Sequence, residues 1–99
     1  MTTSDERRRN LIWGRETLGE LSEDGVLPTD LRIEAATLLG GYPPLARLQQ
    51  ADPEDLELLQ EEFVHVLSQA KWLFMRIRKL PSSTEQRRYS LQVVLRHFI

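Results

Sequence analysis

Glu62 and His65 stand three residues apart in Glu62-Phe63-Val64-His65, a spacing that puts a carboxylate and an imidazole on one helix face. Two such motifs and two further inward carboxylates build the di-metal site of a four-helix carboxylate bundle. This chain has one copy, and its other histidine, His97, has no acid near it in sequence. A single chain therefore lacks the ligands to complete such a site. Other chemistries have no better footing. There is no glycine-rich phosphate loop, no Gly-x-Ser-x-Gly elbow, no His-Glu-x-x-His and no cysteine nucleophile. Asp24, Asp30 and the carboxylates of 52–62 fit helix starts and a solvated face. The expectation is a non-enzymatic protein with no cofactor and no metal ligands.

The residues that remain are those that bind. Residues 1–62 carry 14 acids and 6 bases, a balance of −8, while 63–99 carry 7 bases and only Glu85 as an acid, a balance of +6. The contrast is sharpest between Asp52–Glu62, with six acids and no base, and Lys71–Lys79, with four bases and no acid. Such polarity steers a partner or is neutralised within the fold. Trp13, Trp72, Met75 and Arg76 are the residue types that protein interfaces favour, and they form the candidate protein-interaction set. Lys71, Arg78, Lys79, Arg87, Arg88 and Arg96 form a nucleic-acid alternative, with Trp72 and Tyr89 available for stacking. Against that alternative, the pI is about 5.7, whereas nucleic-acid-binding domains are usually markedly basic.

These side chains must be held by helices, because no sustained period-2 alternation of β-branched residues suggests a strand. Ser4 or Asp5 can cap a first helix with Leu11, Leu18 and Leu21 on its apolar side. Pro28 opens a second through Leu31, Ala35 and Leu38, with Gly40-Gly41 read as a left-handed stop ahead of Pro43-Pro44. Leu45–Gln49 has room for one further turn. Asp52-Pro53-Glu54-Asp55 is a strong helix start. Leu56, Leu59, Phe63, Val66, Ala70, Leu73, Ile77 and Leu80 then follow at alternating spacings of three and four, a heptad seam. This predicts one long helix over about 53–80, ended by Pro81. A capping box from Ser82 to Glu85 would open a last helix burying Leu91, Val94, Leu95 and Phe98. The fold expected is all-α: a single domain over 1–99, a four- to five-helix bundle around the long helix. Its seam serves either the chain's own core or an antiparallel homodimer that lays acidic 52–62 on basic 71–79.

Residues 11–43 and 67–99 align without gaps at an offset of 56, both reading helix, break, helix. The identities are Leu11/Leu67, Arg32/Arg88 and Leu39/Leu95. Two unrelated amphipathic hairpins reach that number by chance, so the alignment is an architectural echo. Over roughly residues 5–43 the chain also carries Glu6-Arg7 with Arg9, Arg15-Glu16 with Leu18, Pro28, Leu31-Arg32, Ala35, Leu38-Leu39 and Tyr42-Pro43. In these it resembles a family of uncharacterised small bacterial helical proteins. That family's second helix ends in Leu-Arg-His-aromatic-Pro. Here Gly40-Gly41 replaces the Arg-His pair, and Leu95-Arg96-His97-Phe98 stands at the other end of the chain. The resemblance implies a helical fold and a bacterial or mobile-element origin, and brings no activity with it.

The absence of cysteine fits a reducing cytoplasm. The N-terminus has no apolar core of a signal peptide, and no stretch approaches the roughly 18 apolar residues that cross a membrane. The functional expectation is a cytoplasmic protein-binding module. Its narrower form is a phage or mobile-element inhibitor of a host system, such as an anti-CRISPR protein. Its partner is another protein or a second copy. The alternative is a small DNA-associated regulator using the basic C-terminal helix.

Overall fold

A computed structural model describes residues 3–96 and 98. Among these the chain forms six helices and no strand: α1 (Ser4–Glu23), α2 (Thr29–Gly41), α3 (Leu45–Gln50), α4 (Pro53–Glu62), α5 (Val64–Arg78) and α6 (Glu85–Arg96). The all-α class holds. The single long helix does not: its heptad seam passes unbroken through Phe63, yet the chain turns there, at φ −104° and ψ 19°. No proline or glycine lies at the junction. The cause is tertiary. α4 packs on α1, whereas α5 packs on α2 and α6, and the helix bends between them while keeping the Phe63 N to Leu59 O and Leu67 N to Phe63 O bonds. Arg47 holds the corner, its Nη1 2.8 Å from a Glu62 carboxylate oxygen and its guanidinium 5.5 Å over the Phe63 ring. The organising element is α1, which touches α2, α3, α4 and α6.

Seam residues Leu56, Leu59, Ala70, Leu73 and Ile77 are buried within one chain. The seam is thus spent on the chain's own core and offers nothing to a second copy. A homodimer through the same helices would have to use another of their faces.

Several helix ends differ from expectation for local reasons. Thr3, not Ser4 or Asp5, caps α1, its Oγ1 accepting from Glu6 N at 3.2 Å. Gly40 and Gly41 are helical, and no described residue has positive φ. The stop comes from Pro43, which forces the preceding Tyr42 to extended backbone (ψ 151°). Asp52 caps α4 as expected, through Asp55 N at 2.8 Å. At α6 the cap is Thr84, bonded to Arg87 N at 3.1 Å, instead of a Ser82–Glu85 box. Ser83 is drawn into the core, where its hydroxyl donates to the Ile77 carbonyl at 2.6 Å.

The polar side chains of α1 tie down the ends of other elements. Helix termini leave carbonyls without partners inside the helix. Asn10 Nδ2 donates to Val93 O and Val94 O at 3.2 and 2.9 Å, near the end of α6. Arg8 Nη2 reaches Ala51 O after α3, and Arg15 Nη1 reaches Pro43 O at 3.1 Å.

The echo between the two halves is deeper in packing than in identity. α1–α2 and α5–α6 are hairpins, and each helix of one packs on a helix of the other, α1 on α6 and α2 on α5. Buried positions repeat at the offset of 56: Leu11/Leu67, Gly14/Ala70, Thr17/Leu73, Leu18/Phe74, Leu21/Ile77, Leu27/Ser83, Ala35/Leu91, Leu38/Val94 and Tyr42/Phe98. The two hairpins therefore bury matching positions in one core. The Cα radius of gyration, 13.1 Å, is that of one compact domain of this length.

Tyr42 ends α2 inside this core and donates its O–H to Leu11 O at 2.5 Å. Burial pushes its phenol well above the ordinary range, with the Arg15 guanidinium opposing in part. The folded state thus prefers the neutral phenol. Its contribution to stability is full below about pH 10 and is lost as pH rises beyond that. Thermal melts at increasing alkaline pH are expected to show a steeper fall for wild type than for Tyr42→Phe, which cannot ionise. Equal slopes would show that Tyr42 is not the group responsible.

Candidate protein-interaction surface

The expected interaction residues divide between two places. Trp13 lies on α1, 37% exposed, beside a shallow hollow with Glu6, Arg9 and Asn10. Trp72, Met75 and Arg76 lie on α5, diagonally across the bundle from α1. The structure brings the last three together and leaves Trp13 apart. Trp72 is the prominent member, 63% exposed in the middle of α5. Met75 is half-buried beside it. Arg76 is steered by an ion pair with Glu34 of α2.

The basic set is likewise divided. Arg87 pairs with Asp24 at the end of α1, on the side of α6 that faces α1. Lys71, Arg78, Lys79, Arg88 and Arg96 make no ion pair among the described residues. Arg88 reaches the turn after α5, its Nη2 donating to Leu80 O at 3.3 Å. The acids of 52–62 do not neutralise these bases. Among the described residues only Glu62 of this stretch is in an ion pair, and its partner is Arg47 of α3. The polarity seen in the sequence therefore survives folding as a surface property, with an acidic end at α4 and a basic end where α5 meets α6.

One further line of residues escaped the sequence reading. Glu54, Leu58, Glu61, His65, Gln69, Trp72, Arg76 and Lys79 are all exposed and recur at spacings of three and four. They form a single stripe on the outer side of α4 and α5, opposite the buried seam. It stays in phase across the corner because Phe63 N still donates to Leu59 O and Leu67 N to Phe63 O, both at 3.0 Å. Leu58, also 63% exposed, and Trp72 are its two large apolar members. The signal was present in the sequence: two bulky apolar side chains on an otherwise polar helix face.

The Glu62/His65 pair gathers no site. Glu62 is committed to Arg47, His65 is exposed, and no group of three or more metal-ligating side chains occurs among the described residues. The hollow between α1 and α4–α5, lined by Arg7, Glu57, Gln60, Glu61, Val64 and Leu67, is open and crossed by Arg7 Nη1 to Gln60 Oε1 at 3.4 Å. His97 lies outside the described residues. Among the described residues no helix is long and apolar enough to cross a membrane. No family model, curated protein or solved structure matches this chain.

Proposed function

We propose that the chain is a non-enzymatic protein-binding module that docks through the outer stripe of α4 and α5. The observation that carries this is Trp72, left 63% exposed on α5 between His65, Gln69, Arg76 and Lys79. An exposed Trp beside an Arg brings together two residue types that are enriched in interface hot spots. It fits a partner surface that offers an apolar pocket or side chain rimmed by carboxylates. The narrower form, a phage or mobile-element inhibitor of a host system such as an anti-CRISPR protein, keeps this face and predicts that the captured partner loses its own activity. The resemblance to small bacterial proteins makes a bacterial lysate the place to look.

A second reading is favoured by the five bases without ion pairs: a DNA-associated regulator that uses α6 and the end of α5. Affinity capture from a bacterial lysate, with and without nuclease and at two salt concentrations, separates the two. The protein-binding reading expects a protein, a host protein or an untagged copy of the chain, that survives nuclease and moderate salt. Nucleic acid alone, lost steeply as salt rises, would overturn it and promote Arg88 and Arg96.

A further inference from the structure

We infer that the occupant of this stripe is a second copy of the same chain, laid antiparallel with its two-fold axis at His65. The inference rests on the docking reading above and adds a partner and a register. In a two-fold interface residue i meets j and j meets i, so residues equally far on either side of His65 face each other. That operation sets Leu58 opposite the partner subunit's Trp72 and Glu54 opposite the partner subunit's Arg76. It sets Glu61 opposite the partner subunit's Gln69. Each of these residues is exposed within its own chain. The two apolar members thus cover each other twice, at the two ends of the contact. The acidic outer face of α4 meets the basic outer face of α5, Lys79 lying a further turn out on the side of Glu54 and Asp55. No like-charged pair faces another in this register, whereas a parallel pairing would stack Glu54 on Glu54 and Arg76 on Arg76. The buried seam is untouched, so neither bundle has to open.

The chain has no cysteine, which makes cross-linking a clean test. The variants Glu61→Cys and Gln69→Cys, mixed and oxidised, are expected to join to each other, with little product from either alone. His65→Cys is expected to join to itself, and Ile33→Cys, exposed on α2, to stay monomeric. Sedimentation from micromolar to millimolar concentrations should show a dimer that Trp72→Ala or Leu58→Ala weakens by about 30-fold. A chain that is monomeric throughout, a dimer indifferent to both substitutions, or Glu61→Cys joining mainly to itself would each overturn the inference. A monomer that still recovers another protein in a Trp72-dependent way overturns the second copy alone. A monomer whose captures ignore Trp72 overturns the docking reading with it.

Discussion

Gly14→Leu is expected to lower the stability of the chain by about 3 kcal/mol, the upper range for overpacking a closed core. Gly14 is buried in the middle of α1, where glycine costs roughly 1 kcal/mol relative to alanine. The structure shows what offsets that cost. A Cβ at this position would overlap Phe98 Cε1 and lie 2.7 Å from Tyr42 Oη. Neither ring can retreat freely. Tyr42 is bonded to Leu11 O, and its ring lies 6.4 Å from that of Phe98, which meets Phe74 edge-on at 5.6 Å. Gly40 provides the contrast: a Cβ there meets nothing within 4 Å and φ is not positive. Gly40→Ala is therefore expected to be neutral or stabilising, by up to about 1 kcal/mol. Urea midpoints of the two variants measure both effects. A Gly14→Leu protein as stable as wild type would mean that the Tyr42–Phe98 contact on α1 is not formed.

Phe74→Ala is expected to cost about 3–5 kcal/mol, the usual range for emptying a buried aromatic site. Phe74 is fully buried in α5 and joins α6 to the core through Phe98. Domains of this size have roughly 5–15 kcal/mol in total, so the variant should be close to unfolded at physiological temperature. Two residues away, Trp72→Ala should change stability by no more than about 0.5 kcal/mol, as a surface substitution away from any hydrogen bond does. Paired thermal melts check this directly. Similar melting losses for the two would place Trp72 in the core and remove the proposed docking face.

Much of this architecture is legible in residue patterns. The apolar seam of 56–80, the Asp52 cap and the Pro43 and Pro81 stops locate the helices, and the seam's burial follows from its continuity. The turn at Phe63 is not legible. The heptad passes through it, and the cause is that α4 and α5 answer to different neighbours. The role of α1 as the hub is hidden for a related reason. Its two glycines read as weakness, although Gly14 is what lets Tyr42 and Phe98 close against the helix. The echo at offset 56 shows three identities, but burial reads shape instead of identity, and so Thr17/Leu73 or Tyr42/Phe98 match in place without matching in type. As for the candidate surface, Trp72, Met75 and Arg76 follow from composition and spacing. Trp13 separates from them because α1 and α5 lie diagonally opposed. Leu58 is hard to single out in the sequence because it breaks the seam's pattern only by lying outside it.

Trp72 on the outer face of α5 is the proposed docking point of a protein partner. Its most direct test is the recovery of a nuclease-resistant partner, host protein or second copy, by wild type, Trp72→Ala and Trp13→Ala at matched concentration. Trp72→Ala is expected to lose about 30-fold in affinity with an unchanged melting curve, and Trp13→Ala to recover the partner in full. Undiminished recovery by Trp72→Ala, or a loss confined to Trp13→Ala, would contradict it and move the working surface to α1.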